Sequence, residues 1–271
     1  MQLISKGFIK RVLLTLGVLA VIGGVCLIDG FYIEPYYPRV IRQTVYIHGL
    51  PSEFDGLKIV QLSDLHIVKL GKREERALKK IKEIAPDIIC LTGDYIEDDG
   101  ITPGTYTWQE CAEEAYRFFG ALKAKHGVYA CMGNWDNPEM LPRIEGLGIH
   151  MVDDYPSKII IKGKKLLIRG DDERQTVHDV KTTIALFHIP DGIDSINESG
   201  NHVDLALAGH WHGGQVGWPL RMSDVKYLAG LYKVGDTQLY VNRGLGMHSI
   251  AVRFNCPAEI TLITLKAQRA E

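Results

Sequence analysis

Seven side chains of the kind that bind metal ions each stand at the end of a short apolar segment of this sequence. They are Asp64, His66, Asp94, Asn134, His188, His210 and His212. A continuous apolar run of this kind is typical of a buried β-strand. Because the carboxyl ends of strands in an open α/β sheet gather at one edge, we expect these side chains to converge there.

The spacing within the pairs Asp64–His66 and His210–His212 suits metal binding. In an extended segment residues i and i+2 point to the same side, so both members of a D-x-H or H-x-H pair can approach one metal. Mixed oxygen and imidazole ligands favour manganese, iron or zinc over calcium. Seven ligands are more than one tetrahedral zinc takes, so the set predicts two metals that share a carboxylate.

A single D-x-H motif is weak evidence, because a lone histidine at a strand end is usually a hydrogen-bonded surface group. We expect that ordinary role for His126, His150, His178, His202 and His248. The larger set differs, since every predicted core strand of the α/β part ends in a ligand type. No G-x-S-x-G or C-x-x-C motif offers another reactive centre, and Cys90 and Cys131 are predicted to be buried apolar residues.

The elements that must position these side chains alternate between strands and helices in the first part of the chain. Apolar residues at helical spacing predict helices within residues 71–86 and over 109–125. Residues 158–169 read as a hairpin that turns at Gly163. Strands predominate after that point, and this order predicts an α/β sandwich with a mixed sheet.

The composition excludes some classes of function. The chain has 271 residues and a net charge of −2, so it lacks the basic excess of a nucleic-acid-binding protein, and we expect no nucleic-acid polymer as a partner. We predict that residues 34–50 are a linker and that residues 51–271 form one domain with a large core. The oligomeric state does not follow from these features.

The N-terminus predicts a membrane anchor. A short basic start, residues 1–11, precedes an uncharged run from Val12 to Ile28, which reaches the lower length limit for a helix that spans a bilayer. Aromatic residues follow this run, as at a membrane interface; they are Phe31, Tyr32, Tyr36 and Tyr37. We therefore predict a transmembrane signal-anchor segment over residues 12–33.

Three alternatives compete with the anchor: a cleaved signal peptide, a lipoprotein start at Cys26 and a buried core helix. No A-x-A site follows the apolar run, and Val25 is a poor fit for the small residue that a lipoprotein site needs. Three basic residues precede the run, while Arg39 and Arg42 follow it. The positive-inside rule then leaves the N-terminus in the cytoplasm and places the domain outside the cytoplasmic membrane.

The order SDLH, GD, GN, a lone histidine and GHxHGGQ resembles the signature of the calcineurin-like metallophosphoesterase superfamily. The likeness covers roughly residues 45–266 and extends to GLP (49–51), FHIPD (187–191) and YVNRGLG (240–246). The chain is most similar to the membrane-anchored bacterial branch, which includes periplasmic-type phosphodiesterases and chlamydial-type UDP-2,3-diacylglucosamine pyrophosphatases. The resemblance implies a two-sheet αββα sandwich with a dinuclear metal site at the strand ends.

The resemblance also implies roles for individual residues. Asp64, His66 and His212 would hold the first metal, Asn134, His188 and His210 the second, and Asp94 would bridge both. Two divalent ions, manganese first with iron or zinc as alternatives, would activate a hydroxide that attacks phosphorus. We expect a phosphate-containing small molecule or lipid as the substrate. Arg243 and Arg253 are the predicted phosphate contacts, with surface solubility as the alternative role of both.

One departure from the family pattern concerns the reaction. The family usually has a histidine after the asparagine, assigned to leaving-group protonation, whereas this chain has Trp135. An indole cannot titrate and donates one N–H. The leaving group then needs no proton, another residue such as Asp136 or a mobile histidine substitutes, or turnover is poor. Trp135 would either offer a flat face to a base or an acyl chain or pack in the core.

Three functions follow from these features. The favoured substrate is a membrane-borne nucleotide-lipid such as UDP-2,3-diacylglucosamine, although that lipid is made at the cytoplasmic face. The second is a broader extracytoplasmic phosphodiesterase that acts on other phospholipids or nucleotides, and the third is a metal-binding protein with little turnover. The segment 215–232 would meet acyl chains or pack on the sheet edge; its apolar members include Trp218, Leu220, Tyr227 and Leu228.

Overall fold

The computed structural model describes residues 6–97, 106–172, 174–175, 179–217 and 224–268. The helices are α1 Lys6–Ile28, α2 Lys72–Ile84, α3 Trp108–Ala121, α4 Leu141–Gly146 and α5 Gly192–Glu198. The first six strands are β1 Arg39–Ile47, β2 Lys58–Leu62, β3 Ile88–Thr92, β4 Val128–Cys131, β5 Ile149–Met151 and β6 Ser157–Ile161. The others are β7 Lys164–Arg169, β8 Thr182–Leu186, β9 Leu205–Ala208, β10 Gly230–Val234, β11 Thr237–Val241 and β12 Glu259–Ala267.

The strands form two sheets of six. The first has the order β1-β12-β2-β3-β4-β5 and the second the order β10-β11-β9-β8-β7-β6. Strands β2 to β5 are parallel, as are β7, β8, β9 and β11, whereas β12 runs antiparallel to β2. The predicted α/β fold class, with mixed sheets, is therefore confirmed.

The two sheets pack face to face and helices cover their outer faces, which gives four layers. One buried cluster lies between the sheets and includes Ile59, Cys90, Leu186 and Leu207. A second joins the first sheet to α2, α3 and α4, and a third joins the second sheet to α5. Strands such as β3 are buried along their whole length, because each has a packed layer on both sides. This explains their continuous apolar sequences.

The hairpin predicted over residues 158–169 is present as β6 and β7. These strands pair antiparallel, with Ile161 opposite Lys164. Lys162 and Gly163 form the turn, with φ of 49° and 81°. Two successive positive φ values match the right-handed twist of a hairpin, and glycine adopts such a value at little cost.

The segment 34–50, predicted to be a linker, contributes a strand to the first sheet. Within it, β1 pairs parallel with β12, from Arg39 opposite Glu259 to Ile47 opposite Ala267. Only Val45 and Ile47 of this edge strand are buried. The sequence therefore lacks the continuous apolar run that identified the central strands.

The apolar N-terminal segment is helical and lies outside the core. None of the described side chains of α1 is buried. With the π-helical turn Asp29–Ile33 that follows it, the helix has 28 residues, contains an 18-residue stretch with a mean hydropathy of 2.4 and is long enough to cross a membrane. The alternative of a buried core helix does not apply, because none of the described side chains of this helix is buried in the domain.

Candidate metal centre

The ends of strands from both sheets meet at one edge of the sandwich. The Gln61 side chain on β2 donates from Nε2 to the Ala208 carbonyl on β9, at 2.9 Å. Nδ1 of His188, beyond β8, lies 2.8 Å from the Thr92 carbonyl at the end of β3. These contacts bring the loops after β2, β3, β8 and β9 together, as the order of polar residues in the sequence predicts.

A first group of potential ligands comprises Asp64, His66 and His212, whose candidate ligand atoms all lie within 4.8 Å of one another. Nε2 of His66 lies 3.0 Å from Nε2 of His212, and the latter lies 3.4 Å from Oδ1 of Asp64. All three side chains are buried. Two imidazole nitrogens and a carboxylate oxygen that converge in this way form a suitable site for a divalent cation.

A second group comprises Asp94, His188 and His210, within the same limit of 4.8 Å. Nε2 of His188 lies 3.0 Å from Oδ2 of Asp94 and 3.1 Å from Nδ1 of His210. Asn134, predicted to complete this group, is exposed in the turn after β4. Its role as a ligand stays a prediction.

Asp94 lies between the two groups. Its Oδ2 is 3.0 Å from Nε2 of His188 and 3.6 Å from Nε2 of His66. Its Oδ1 accepts a hydrogen bond from the Trp135 backbone N–H at 2.9 Å. A carboxylate that faces both groups has the position that a bridging ligand needs.

The backbone brings the paired ligands together by a route that differs from the extended geometry predicted for D-x-H and H-x-H. Five of the seven candidate ligands have positive φ, which non-glycine residues seldom adopt: Asp64 (48°), His66 (40°), Asp94 (55°), His210 (76°) and His212 (52°). These residues lie in tight turns beyond their strands. Strained conformations of this kind concentrate at functional sites, where the surrounding structure holds them in place.

Two glycines allow the turns to approach the carboxylates. A Cβ atom on Gly133 would overlap the Asp94 carboxyl group and its backbone nitrogen. A Cβ atom on Gly209 would overlap the side chains of Ser63 and Asp64. The absence of a side chain at these positions therefore determines how closely the strand ends pack.

Glu97 is a candidate site residue that was not predicted from the sequence. Its Oε2 lies 2.7 Å from Nδ1 of His66 and 2.8 Å from Nδ1 of His248. Burial opposes the charge of this carboxylate, but the hydrogen bonds from His66 and His248 outweigh burial and lower its pKa. A carboxylate on the outer nitrogen of a histidine fixes which nitrogen faces the metal.

Asp136 binds backbone groups. Its carboxylate accepts hydrogen bonds from the N–H groups of Asp94 (2.8 Å), Tyr95 (2.6 Å) and Gly133 (2.7 Å). Burial, followed by the charge of Asp94, raises the pKa of Asp136 to about 6. The side chain joins the turns after β3 and β4, so we interpret Asp136 as a positioning residue. This differs from the expected role in proton donation.

The electrostatics of the centre suit cations. Burial, then the nearby His66, lowers the pKa of His212 well below its ordinary value, which favours the neutral form that can bind a metal ion. Burial also disfavours the charged form of His188, yet its hydrogen bond to Asp94 and the charge of Asp64 raise its pKa to about 9. The buried carboxylates Asp64 and Asp94 stand among these imidazoles, and a donor set of this kind fits divalent metal ions.

The two arginines predicted to contact phosphate have different environments. Arg253 is 0% exposed, and its guanidinium donates to the carbonyl groups of Arg243, Gly246 and Cys256. The structure thus gives Arg253 a structural role in place of the predicted substrate contact. Arg243 is partly exposed and bonded to Glu259 at 2.6 Å, and its side chain lies beside Gly213. Its role in phosphate binding stays a prediction.

Trp135 and His248 form a pair at the surface beside the centre. The indole is 39% exposed, so Trp135 is not a core residue, and its ring centroid lies 4.6 Å from that of His248. His248 was expected to be an ordinary surface histidine, but it is bonded to the buried Glu97. The sequence gives no signal for this contact, because His248 and Glu97 are 151 positions apart.

The segment 215–232 is described only in part. Tyr227 and Leu228 are buried, and Tyr227 belongs to the cluster on the outer face of the second sheet. Both side chains are therefore buried and are not free to meet acyl chains. Trp218 and Leu220 lie outside the described residues, as does His178.

Comparison with known proteins agrees with this geometry. The sequence profile of the calcineurin-like phosphoesterase family matches residues 57–214. The chain is 30% identical to the metallophosphoesterase YkuE of Bacillus subtilis (strain 168), over 87% of this chain and 88% of that protein. It is 26% identical to the phosphodiesterase YaeI of Escherichia coli (strain K12), over 86% of this chain and 90% of that protein.

A longer relative carries a membrane-related name. The chain is 24% identical to the transmembrane protein with metallophosphoesterase domain of Danio rerio, over 98% of this chain and 65% of that protein. The family match covers more than half of the chain and includes all seven candidate ligands. The chain therefore belongs to the calcineurin-like phosphoesterase family and is a metal-dependent phosphoester hydrolase.

Proposed function

We propose that this protein hydrolyses a phosphodiester or pyrophosphate bond of a membrane-borne substrate, with a nucleotide-lipid such as UDP-2,3-diacylglucosamine favoured. The observation that carries the proposal is the attachment of the apolar helix to loops of the metal centre. Other phospholipids or nucleotides form the alternative substrate class, which the name of the relative YaeI, a phosphodiesterase, also supports.

The attachment begins at the end of the apolar helix. The Gly30 carbonyl accepts a hydrogen bond from the Arg253 N–H at 3.0 Å. Oε2 of Glu34 accepts one from the Cys256 N–H at 2.9 Å, and Glu34 is itself buried. The Cys256 thiol then donates to the carbonyl of His212, a candidate ligand, at 3.2 Å. Short contacts thus connect the anchor to the first metal group.

Apolar side chains are exposed around the end of the anchor. Tyr32 in the turn after α1 is 70% exposed, and Ile250 in the loop that contacts this turn is 61% exposed. Aromatic and aliphatic residues at the end of a membrane helix are stable at the level of the lipid headgroups. A phosphoester in those headgroups would reach the centre without leaving the bilayer.

The residues of the centre have distinct tasks in this reaction. When bound, two divalent cations, for which we propose manganese first, would supply Lewis acidity and offset charge on the phosphoryl oxygens. Asp94 faces both metal groups, while Glu97 orients His66. Asp136 holds the turn that presents Asn134 and Trp135. The indole supplies no titratable proton, which favours a leaving group that needs none, such as a phosphate.

We also propose a single-pass arrangement in the cytoplasmic membrane. The signal-anchor comprises residues 12–33, the basic residues 1–11 stay in the cytoplasm, and the catalytic domain, residues 51–271 together with β1, lies outside. The small excess of basic residues before the apolar run supports this orientation. A C-terminal fusion to alkaline phosphatase should be active and one to a fluorescent protein dark; the reverse result would place the domain in the cytoplasm.

The full-length protein in detergent micelles provides the test of substrate. With Mn²⁺, the protein should release UMP from UDP-2,3-diacylglucosamine and cleave bis-p-nitrophenyl phosphate, and chelator should abolish both activities. The variant Asp94→Asn, purified in parallel, controls for contaminating hydrolases. Release of products from phospholipids alone would select the alternative substrate class. Hydrolysis of none of these compounds would contradict both substrate classes.

A further inference from the structure

A pocket of about 290 Å³ lies between the end of the anchor and the first metal group. Tyr36, which follows the anchor, lines one part of it, and His66 lines another. Lys69 and Lys72 also line the pocket, as do Met247 and Ala251 of the loop that carries His248. The pocket therefore joins the membrane side of the domain to the candidate centre.

The charge of this pocket is positive. The acidic and basic side chains Glu74 and Arg73 pair with each other, with Nη2 of Arg73 at 2.6 Å from Oε1 of Glu74. Lys69 and Lys72 are exposed, and neither forms an ion pair with a residue that the structure describes. Two ammonium groups are thus available to a ligand, and both can bind phosphate oxygens.

The lysines, and not the start of α2, provide the recognition. The Gly71 N–H at the beginning of that helix donates to Oε2 of Glu74 at 2.9 Å, so this donor is already used. Apolar surface from Tyr36 and Ala251 lines the same pocket as the two lysines. This combination suits an anionic group attached to an apolar tail better than it suits a free anion.

We propose that the pocket is a subsite for a second anionic group of a lipid substrate, next to the phosphoryl group that is hydrolysed. The ligand class is a phosphate that carries acyl chains. The inference rests on the proposed membrane-borne substrate, because it assigns the lipid-proximal phosphate to Lys69 and Lys72. The headgroup beyond the cleaved bond would then lie on the side of the centre away from Lys69 and Lys72.

The experiment measures binding without turnover. Full-length protein in micelles, with EDTA, is titrated with dihexanoyl phosphatidate in a calorimeter, and inorganic phosphate is titrated in a parallel arm. We expect the wild type to bind phosphatidate and the variant Lys69→Ala/Lys72→Ala to bind it at least about tenfold more weakly, since it loses two charge-assisted contacts. The variant Lys79→Ala/Lys82→Ala, altered elsewhere on α2, should bind as the wild type does.

Several results would overturn the subsite. Equal phosphatidate affinity in the wild type and the Lys69→Ala/Lys72→Ala variant would do so. Inorganic phosphate that binds as tightly as phosphatidate, with the same loss in the variant, would show an anion site without lipid recognition. If the wild type hydrolyses a lipid substrate with Mn²⁺ yet binds no phosphatidate, the subsite is wrong and the proposed function stands. No lipid hydrolysis at all would contradict the proposed function instead.

Discussion

Oε2 of Glu97 lies 2.7 Å from Nδ1 of His66, on the side of the imidazole opposite the nitrogen that faces His212. The same oxygen is 2.8 Å from Nδ1 of His248. One buried carboxylate thus orients a candidate metal ligand and holds a surface histidine that contacts Trp135. The metal centre and the position where this chain departs from its family are connected through Glu97.

Replacement of Glu97 should weaken metal binding. In the Glu97→Gln variant the charge that fixes the orientation of His66 is lost, so we expect the affinity for Mn²⁺ to fall about 10- to 100-fold. Calorimetric titration of the metal-free protein measures this affinity. The variant Glu113→Gln, at an exposed ion pair with Arg143, is the matched control and should bind Mn²⁺ as the wild type does. Unchanged affinity in Glu97→Gln would contradict the role of Glu97.

Removal of the carboxylate between the two groups should have a larger effect. The Asp94→Asn variant has lost the charge that faces both His66 and His188, so we expect less than the full metal content and a turnover number lower by on the order of 10²-fold or more. Metal analysis by mass spectrometry and hydrolysis of bis-p-nitrophenyl phosphate provide the two measurements. Asp154→Asn, at an exposed position in the loop after β5, should change neither quantity.

A methyl group at Gly133 should disturb the position of Asp94. A Cβ atom there overlaps the Asp94 carboxyl group, so we expect Gly133→Ala to lower the free energy of unfolding by about 1–3 kcal/mol and to reduce activity. At Gly146, in α4, a Cβ atom would have no neighbour within 4 Å, so Gly146→Ala should be neutral or stabilising. Denaturant unfolding and hydrolysis assays compare the two variants, and equal behaviour would be evidence against the close approach.

A histidine at position 135 should change the dependence on the leaving group. The Trp135→His variant regains a group that can protonate the departing oxygen, and general acid catalysis typically contributes about 10²–10⁴ in rate. We expect the gain to be larger for alkyl than for nitrophenyl leaving groups. Rates over a series of phosphodiesters give the slope against leaving-group pKa. The same gain for every substrate would remove the link between Trp135 and the leaving group.

The attachment of the anchor should depend on pH through Glu34. Burial raises the pKa of this carboxyl above its ordinary value of 4.5, so the folded protein binds its proton more tightly than the unfolded protein does. The resulting stability is present below pH 4.5 and is lost as the pH rises through the folded pKa. In Glu34→Gln this loss should disappear. Thermal unfolding of full-length protein in detergent at several pH values tests it, with the exposed Glu145→Gln as the control.

The sequence allowed the prediction of those parts of the fold that have a local signal. Strands such as β3, buried on both faces, have continuous apolar sequences, and α2 has a helical period of apolar residues. In the edge strand β1 only Val45 and Ile47, near its end, are buried, so the sequence of this strand resembled a linker. Its place in the sheet depends on pairing with β12, more than 200 positions away along the chain.

For the site, the sequence by itself determined which residue types stand at the strand ends, and their order was sufficient to indicate the family. Only the tertiary structure decided what surrounds them. In the folded protein Arg253 is buried and the Asp136 carboxylate accepts hydrogen bonds from backbone N–H groups. Glu97 contacts both His66 and His248. Motifs are local in sequence, whereas hydrogen-bond partners and burial depend on contacts between segments that are distant along the chain. The positive φ values of the ligands have the same origin, because only the packed turns hold such strained conformations.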